Sequence, residues 1–327
     1  PDAYMLVAYV DSNENNKYDT GEAGKFYSSF SIVHVSEKQA VELSPISIVG
    51  PPDVLPDTVK LISGEKKIAK NIGKVTTLND STFNRDNYSM GMWKPLDFIN
   101  MVGGGLFLLS PYDKSKTPIL FIHGIGGGPT DFSDLIAILD KKRFQPMVLY
   151  YPSGLKLNII SDYLSKAVSD LQTKYRFKKM IVVAHSMGGL VSRSFLKKYF
   201  KRYPKYAKSI QLYMTINSPM QGIGSLSALD YYPLVIPVWR DLRPKSPFIN
   251  DLLQWQLPKS VKYHMVFSYL EGEDNDGVVS IYSQLPYHLQ DEAERIYGFN
   301  TNHIGPLHEA KPLAILKSII EHGQTKK

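Results

Sequence analysis

The stretch Met180-Ile181-Val182-Val183-Ala184-His185-Ser186-Met187-Gly188-Gly189-Leu190-Val191 decides how the rest of the chain is read. An apolar, β-branched run of buried-strand length closes at Ala184, and a helical pattern opens at once through Leu190, Val191, Ser194 and Phe195. Between the two, a tight turn carries Ser186 at its tip. A serine at such a corner is forced into a strained backbone conformation and the incoming helix packs close to the strand, so small residues must flank it. Ala184 and Gly188 meet that need, one on each side. The corner lifts the Ser186 oxygen into a cleft. It also points the Met187 N–H, at a helix N-terminus, to where an oxyanion would form. An ordinary strand-to-helix turn with a chance serine reads the same in isolation. The neighbouring stretches argue against that.

Working outward, His123-Gly124-Ile125-Gly126-Gly127-Gly128 follows an apolar run at 118–122. Glycines here let backbone approach a substrate, and the Ile125 N–H is the expected second oxyanion donor. A nucleotide-binding glycine loop would need a lysine for phosphates and a different glycine spacing. Downstream, Glu271-Gly272-Glu273-Asp274-Asn275-Asp276-Gly277-Val278-Val279-Ser280 places carboxylates just past a strand expected at 263–269. Asp276 is the candidate to orient a histidine, ahead of Asp274 and Glu271; a calcium-binding or merely solvated acidic loop is the other reading. Asn302-His303-Ile304-Gly305-Pro306-Leu307-His308 comes next, so the chain order is serine, acid, histidine. His303 fits the general base, and His308 is expected to begin or cap a last helix. His185 is expected to point into the fold, and His123 to belong to the glycine loop.

Composition sets wider bounds. The 327 residues are 43% hydrophobic and 21% charged, ordinary for a globular protein with a sizeable core. No run approaches the length of a membrane span. The absence of cysteine excludes disulfides and thiolate metal sites. A net charge of +7 is modest. Several of its cations fall on one helix and its exit (Lys197, Lys198, Lys201, Arg202, Lys205, Lys208), which reads as a solvated face rather than a nucleic-acid or anionic-membrane patch.

Residues 1–75 read as a small β-sandwich-like module, with strands near 4–10 and 26–35 and a proline-studded stretch after them. Between those strands, residues 11–22 place Asp11, Asn13, Asn15, Lys17 (through its backbone carbonyl), Asp19 and Glu22 at positions 1, 3, 5, 7, 9 and 12 of a loop, a spacing that suits Ca²⁺. A polar hairpin turn with solvated acids is the level alternative. Residues 76–327 form the second expected domain. Within it, 76–87 looks like a linker and 106–109 like a short strand. Strands are expected at 118–122, 146–151, 179–184, 210–217 and 263–269, with helices at 132–142, 159–175, 190–203 and 312–321. Such alternation predicts an α/β architecture, a mostly parallel sheet with helices on both faces. Residues 222–258 are too long for a simple connection and are expected to form a cap. Its aromatic residues Tyr231, Tyr232, Trp239 and Trp255 are candidates to line an acyl pocket.

Taken together, Ile122-His123-Gly124-Ile125-Gly126-Gly127, Ala184-His185-Ser186-Met187-Gly188-Gly189, Asp276-Gly277-Val278-Val279 and Asn302-His303-Ile304-Gly305 resemble the motifs of bacterial class 2 lipases and related α/β-hydrolase esterases, over about residues 90–322. The likeness does not extend to the N-terminal module, and small lipases of that group have nothing like 222–258. It implies the α/β-hydrolase fold and serine ester hydrolysis by Ser186, Asp276 and His303. Ile125 and Met187 would form the oxyanion hole, with no catalytic cofactor and Ca²⁺ at most structural. The expected partner is an ester or lipid substrate, with peripheral membrane contact open and no nucleic acid; the expected location is extracytoplasmic, in a bacterium. Acyl transfer would use the same residues. A catalytically idle protein recruited to a surface by the β module is the reading from another class.

Overall fold

The structure is a computed structural model; it describes four short strands before residue 36, and then residues 71–231 and 236–323. The chain divides into two units, Pro1–Ser63 and Gly64–Lys327. In the first, β1 (Asp2–Met5) pairs antiparallel with β4 (Ile32–Val35), and β2 (Val7–Tyr9) with β3 (Gly24–Phe26). The loop at 11–22, with Asp11, Asn13, Asn15, Lys17, Asp19 and Glu22, lies outside the described residues.

The second unit opens with residues 71–76 hydrogen-bonded along an edge strand (Gly73 N–H to Leu106 O, Thr76 N–H to Leu108 O). Two helices that were not expected follow, α1 (Arg85–Trp93), which overlaps only the end of the expected 76–87 linker, and α2 (Pro95–Met101). Their hydropathy carries no clear helical period. Local signals make them instead: Asn84 caps α1 by accepting from the Asn87 N–H, and Pro95 occupies the first turn of α2. The chain then alternates through β5 (Gly105–Leu108), β6 (Thr117–Ile122), α3 (Ser133–Ile138), β7 (Phe144–Tyr150), α4 (Leu157–Tyr175), β8 (Met180–His185), α5 (Met187–Arg202), α6 (Pro204–Ala207) and β9 (Ile210–Ile216). After β9 come a 3₁₀ turn at Gly224–Tyr231, α7 (Pro237–Leu242), α8 (Pro247–Gln254) and β10 (Lys262–Tyr269). The chain ends with α9 (Ile281–Gln284), α10 (Tyr287–Glu292), β11 (Arg295–Asn300) and α11 (Ala310–His322).

Strands β5 to β11 form one sheet in the order β11-β10-β9-β8-β6-β7-β5, parallel throughout except for β5. Both faces are covered, which is why β8 is buried at every position. The pleat sorts its side chains: Met180, Val182 and Ala184 join the core beneath α4 and α5, while Ile181 and Val183 join the core beneath α3 and α11. Strand β11, which the sequence did not reveal, is an edge strand whose residues are exposed or half-buried, so it lacks the apolar run that marks the others.

One polar group anchors this packing. Arg193 of α5 is wholly buried and makes a two-pronged ion pair with Glu292 at the end of α10 (2.9 and 3.0 Å). It also donates to the carbonyls of Leu252 (3.3 Å) and Trp255 (2.6 Å), and its guanidinium stacks over the Trp255 ring at 5.3 Å. Trp255, expected to line an acyl pocket, is thus engaged against α5. Breaking a buried pair leaves one charge uncompensated, so Arg193→Ala should lower stability by about 3–5 kcal/mol. Replacing both partners, Arg193→Met with Glu292→Leu, should recover a good part of the loss. Chemical denaturation followed by tryptophan fluorescence measures both; an Arg193→Ala curve that overlays the parent would show the pair to be inert.

Candidate active site

Ser186 ends β8 and begins α5 with φ 53° and ψ −131°, a left-handed conformation that costs a non-glycine residue of order 1–3 kcal/mol. The surroundings enforce it. The Ser186 N–H donates to Ile216 O on β9 (2.8 Å), and the Gly189 N–H returns to Ser186 O (2.9 Å). Helix α5 crosses the end of β6 so closely that a Cβ on Gly188 would lie 2.3 Å from Ile122 O. Gly124 faces the serine: a Cβ there would stand 2.8 Å from Ser186 Cβ. Both glycines are therefore required by close approach.

The parallel strands bring three distant residues together at the C-terminal ends of the strands. His303 Nε2 lies 2.8 Å from Ser186 Oγ, and His303 Nδ1 lies 2.7 Å from Asp276 Oδ2. Asp276 is fully buried, and its other oxygen accepts from the N–H groups of Val278 (3.0 Å) and Val279 (2.7 Å). Asp276 and His303 are also joined through the backbone, His303 N–H donating to Asp276 O at 2.9 Å. The structure does not bring the alternatives here. Asp274 caps its own loop by accepting from the Ile281 N–H through its carbonyl, Glu271 is exposed, and His308 pairs with the exposed Asp134 at 2.9 Å.

Two residues that the sequence reading did not assign hold the His303 loop. The His303 carbonyl accepts from Asn217 Nδ2 (2.7 Å) and from His185 Nε2 (3.0 Å). Asn217 sits at φ 49° just past β9, a conformation asparagine tolerates better than most residues, and that residue type before Ser218-Pro219 was the available signal. His185 is buried as expected. Burial, reinforced by the neighbouring His303, pushes its pKa down to about 3, so it is neutral and donates through Nε2.

The glycine loop is fixed by its own polar groups. Tyr151 OH donates to His123 O (2.6 Å), and the His123 ring stacks on Tyr151 with centroids 4.1 Å apart while its Nδ1–H donates to Gly124 O (2.8 Å). The N–H groups of Gly126, Gly127 and Gly128 donate to Ser153 Oγ, Gly124 O and Asp131 Oδ2. The half-buried Ile125 keeps an N–H with no partner among the described residues. Met187 is the first residue of α5, where an amide has no intrahelical acceptor. Helices α1 and α7 flank the turn at Gly154, just after β7: Gly154 N–H donates to Gly91 O (2.9 Å), Val238 N–H to Gly154 O (3.3 Å), and Trp93 meets Trp239 edge-on at 5.9 Å. Among the described residues no group of three His, Asp or Glu side chains is arranged to hold a metal, and no helix is long and apolar enough to cross a membrane.

Residues 156–297 match the model of a family described as an alpha/beta hydrolase of unknown function (DUF915). The chain has the α/β-hydrolase fold. The family match takes in Ser186 and Asp276 and stops short of His303. A Listeria innocua gene product of known structure is 18% identical with a TM-score of 0.51, over 65% of this chain and 96% of that one. The mature form of Bacillus licheniformis lipase BlEst2 is 17% identical with a TM-score of 0.52, over 67% and 98%. Aspergillus fumigatus lipase B is 15% identical with a TM-score of 0.53, over 66% of this chain and 56% of that one. At these identities the likeness is one of fold. No curated protein matches the chain by sequence.

Three buried histidines, His123, His185 and His264, give the hydrolase domain an acid sensitivity, burial lowering the pKa of each. Burial pushes His123 down to about 4 and His185 to about 3, from 6.5 in the unfolded chain. Below pH 6.5 the unfolded chain therefore binds more protons than the folded one, and stability falls as pH falls through the folded values. The loss is on the order of a few kcal/mol for such shifts. Melting temperature should drop steadily from pH 7 to pH 4, and His123→Gln should flatten that slope. An unchanged slope in the variant would show that His123 is not buried neutral.

Proposed function

We propose that the chain is a serine carboxylic-ester hydrolase, of lipase or esterase type, working through an acyl-enzyme. The observation that carries this reading is the unbroken hydrogen-bond chain Ser186 Oγ to His303 Nε2 and His303 Nδ1 to Asp276 Oδ2. The tautomer that suits it has Nδ1–H donating to Asp276, which leaves Nε2 to accept the serine proton.

In the first half-reaction Ser186 Oγ bonds to the ester carbonyl carbon while its proton passes to His303 Nε2. The carbonyl oxygen becomes an oxyanion, received by the N–H groups of Ile125 and Met187. Collapse of that intermediate breaks the bond to the leaving alcohol, which takes the proton from His303. Water then attacks the acyl-serine, again giving its proton to His303, and the acid departs as Ser186 recovers its hydrogen. Asp276, fully buried and fixed by two backbone N–H groups, holds the imidazole in one tautomer and opposes the imidazolium charge. None of these steps calls on a cofactor. The strained φ of Ser186 supports the same reading, because it keeps the hydroxyl within reach of His303.

The test uses p-nitrophenyl esters of graded acyl length and a fluorophosphonate probe. Ser186→Ala and His303→Ala should each lose activity by several orders of magnitude, to similar levels, because members of one catalytic unit are not additive. Ser186→Ala should also lose probe labelling while keeping its melting temperature. His308→Ala should retain most activity. Substantial turnover in Ser186→Ala would overturn the proposal.

A further inference from the structure

His303 is carried by the loop from Thr301 to Glu309, and the two supports of that loop are unequal. Its entry is β11, the half-exposed edge strand of the sheet. Its exit is α11, which sends Leu313, Leu316, Ile319 and Ile320 into the core. An edge strand is hydrogen-bonded on one side alone, so its end opens more readily than a helix packed in the core. His303 lies close behind the weaker support.

One side-chain contact closes the loop across its base. Thr301, the first residue after β11, is buried. Its N–H donates to Tyr269 O on β10 (3.0 Å), and its hydroxyl donates to the Glu309 carboxylate. Gly305 is clamped between these two side chains: a Cβ on it would lie 2.7 Å from Glu309 Oε1 and would press on the Thr301 hydroxyl as well. The rest of the loop coils tightly above the contact. Asn302 Oδ1 accepts from the N–H groups of Ile304 (3.1 Å) and Gly305 (2.9 Å), and the Gly305 carbonyl accepts from the Glu309 N–H (2.8 Å).

Glu309 occupies the N-cap position of α11 (φ −81°, ψ 138°), yet its side chain caps none of that helix's amides. Serine, threonine, aspartate or asparagine would serve better as a cap. The carboxylate instead reaches back across Gly305 to Thr301, and a hydroxyl on a carboxylate makes the stronger kind of hydrogen bond. We propose that Glu309 and Thr301 are positioning residues for the general base, their contact joining the end of β11 to the start of α11 and so fixing where His303 stands relative to Ser186 and Asp276. This role rests on the serine-hydrolase function proposed above. Both residues act on His303 through the loop backbone rather than on the ester, so their loss is felt in kcat and not in KM.

Steady-state kinetics of the full chain on a p-nitrophenyl ester test this with variants at the exposed Glu309 and the buried Thr301. Glu309→Ala and Thr301→Val should each lower kcat by about tenfold, short of the roughly hundredfold that a misplacement of about 1 Å costs, with KM unchanged. The double variant should be no slower than the slower single, because both changes remove one contact. Glu309→Gln keeps an acceptor oxygen and should restore most of the rate. Glu309→Ser supplies a better cap for α11 but is too short to reach Thr301, so it should match Glu309→Ala. A second readout needs no turnover. The low-field proton resonance of His303 Nδ1–H on Asp276 should broaden in Glu309→Ala and persist in Glu309→Gln. A parent-like kcat in Glu309→Ala, or full recovery in Glu309→Ser, overturns the positioning role while leaving Ser186 its own. Turnover in Ser186→Ala overturns the esterase function instead, and a resonance unchanged in Glu309→Ala then overturns the positioning role as well.

Discussion

The carbonyl oxygen of His303, with Asn217 and His185 both donating to it, is the contact on which the rest of the site depends. His303 stands in a loop between β11 and a short 3₁₀ turn, the kind of segment that moves. Its backbone is nevertheless held at both ends, since its N–H donates to Asp276 O. The ring is held at both nitrogens as well. Each tether comes from the C-terminal end of a different strand: His185 from β8, Asn217 from β9 and Asp276 from the loop after β10. The parallel sheet therefore does more than place three side chains together. It removes most of the freedom that a loop histidine would otherwise have to lose on reaching the serine, which is where orientation contributes to rate.

The same tethers explain why the histidine beside the serine is buried. In the proposed cycle His303 carries a positive charge while the oxyanion exists. A second cation 5.0 Å away, at the ring separation of His185 and His303, would oppose that charge. Burial keeps His185 neutral and leaves it a single-donor anchor. His123 serves the glycine loop in a comparable way: neutral, stacked on Tyr151 and donating to Gly124 O, it fixes the loop without placing a cation beside the amides proposed to receive the oxyanion. Both arrangements depend on desolvation outweighing the hydrogen bonds that would favour the charged ring.

What the sequence made legible was whatever had a period or a strained turn. The buried strands β6 to β10 announce themselves as apolar runs, and Ser186 by the small residues on either side of it. Asp276 follows from its place after a strand end, and His303 from the serine, acid, histidine order of the chain and its glycine-bearing loop before the last helix. The parts that stayed hidden lack such a signature. Strand β11 is half-exposed, and α1 and α2 rest on caps and on contacts such as Gly91 against Phe98 and Pro152 rather than on a hydrophobic stripe. Asn217, marked only by its residue type before Ser218-Pro219, and Arg193 stay hidden for another reason. Their roles come from carbonyl groups far along the chain, Asn217 on that of His303 and Arg193 on those of Leu252 and Trp255, and a carbonyl carries no residue identity to read.

Arg193 shows how the segment after β9 can be long and still be well placed. A connection of this length would ordinarily be free to drift over the cleft. Here its second half is fixed from beneath: the α5 guanidinium takes two of its carbonyls and stacks on Trp255, while Glu292 balances the charge. Its first half is tied at Asp241, whose carboxylate accepts from the Leu157 N–H at 2.7 Å and so caps α4, although burial raises the carboxyl's pKa. The helix that starts at the serine is thus also the helix that holds α8 down. A shift of α5 large enough to release α8 would move Ser186 with it, and the hydrogen bond to His303 could not survive that shift. Retention of this segment and integrity of the serine corner are consequently one structural condition rather than two.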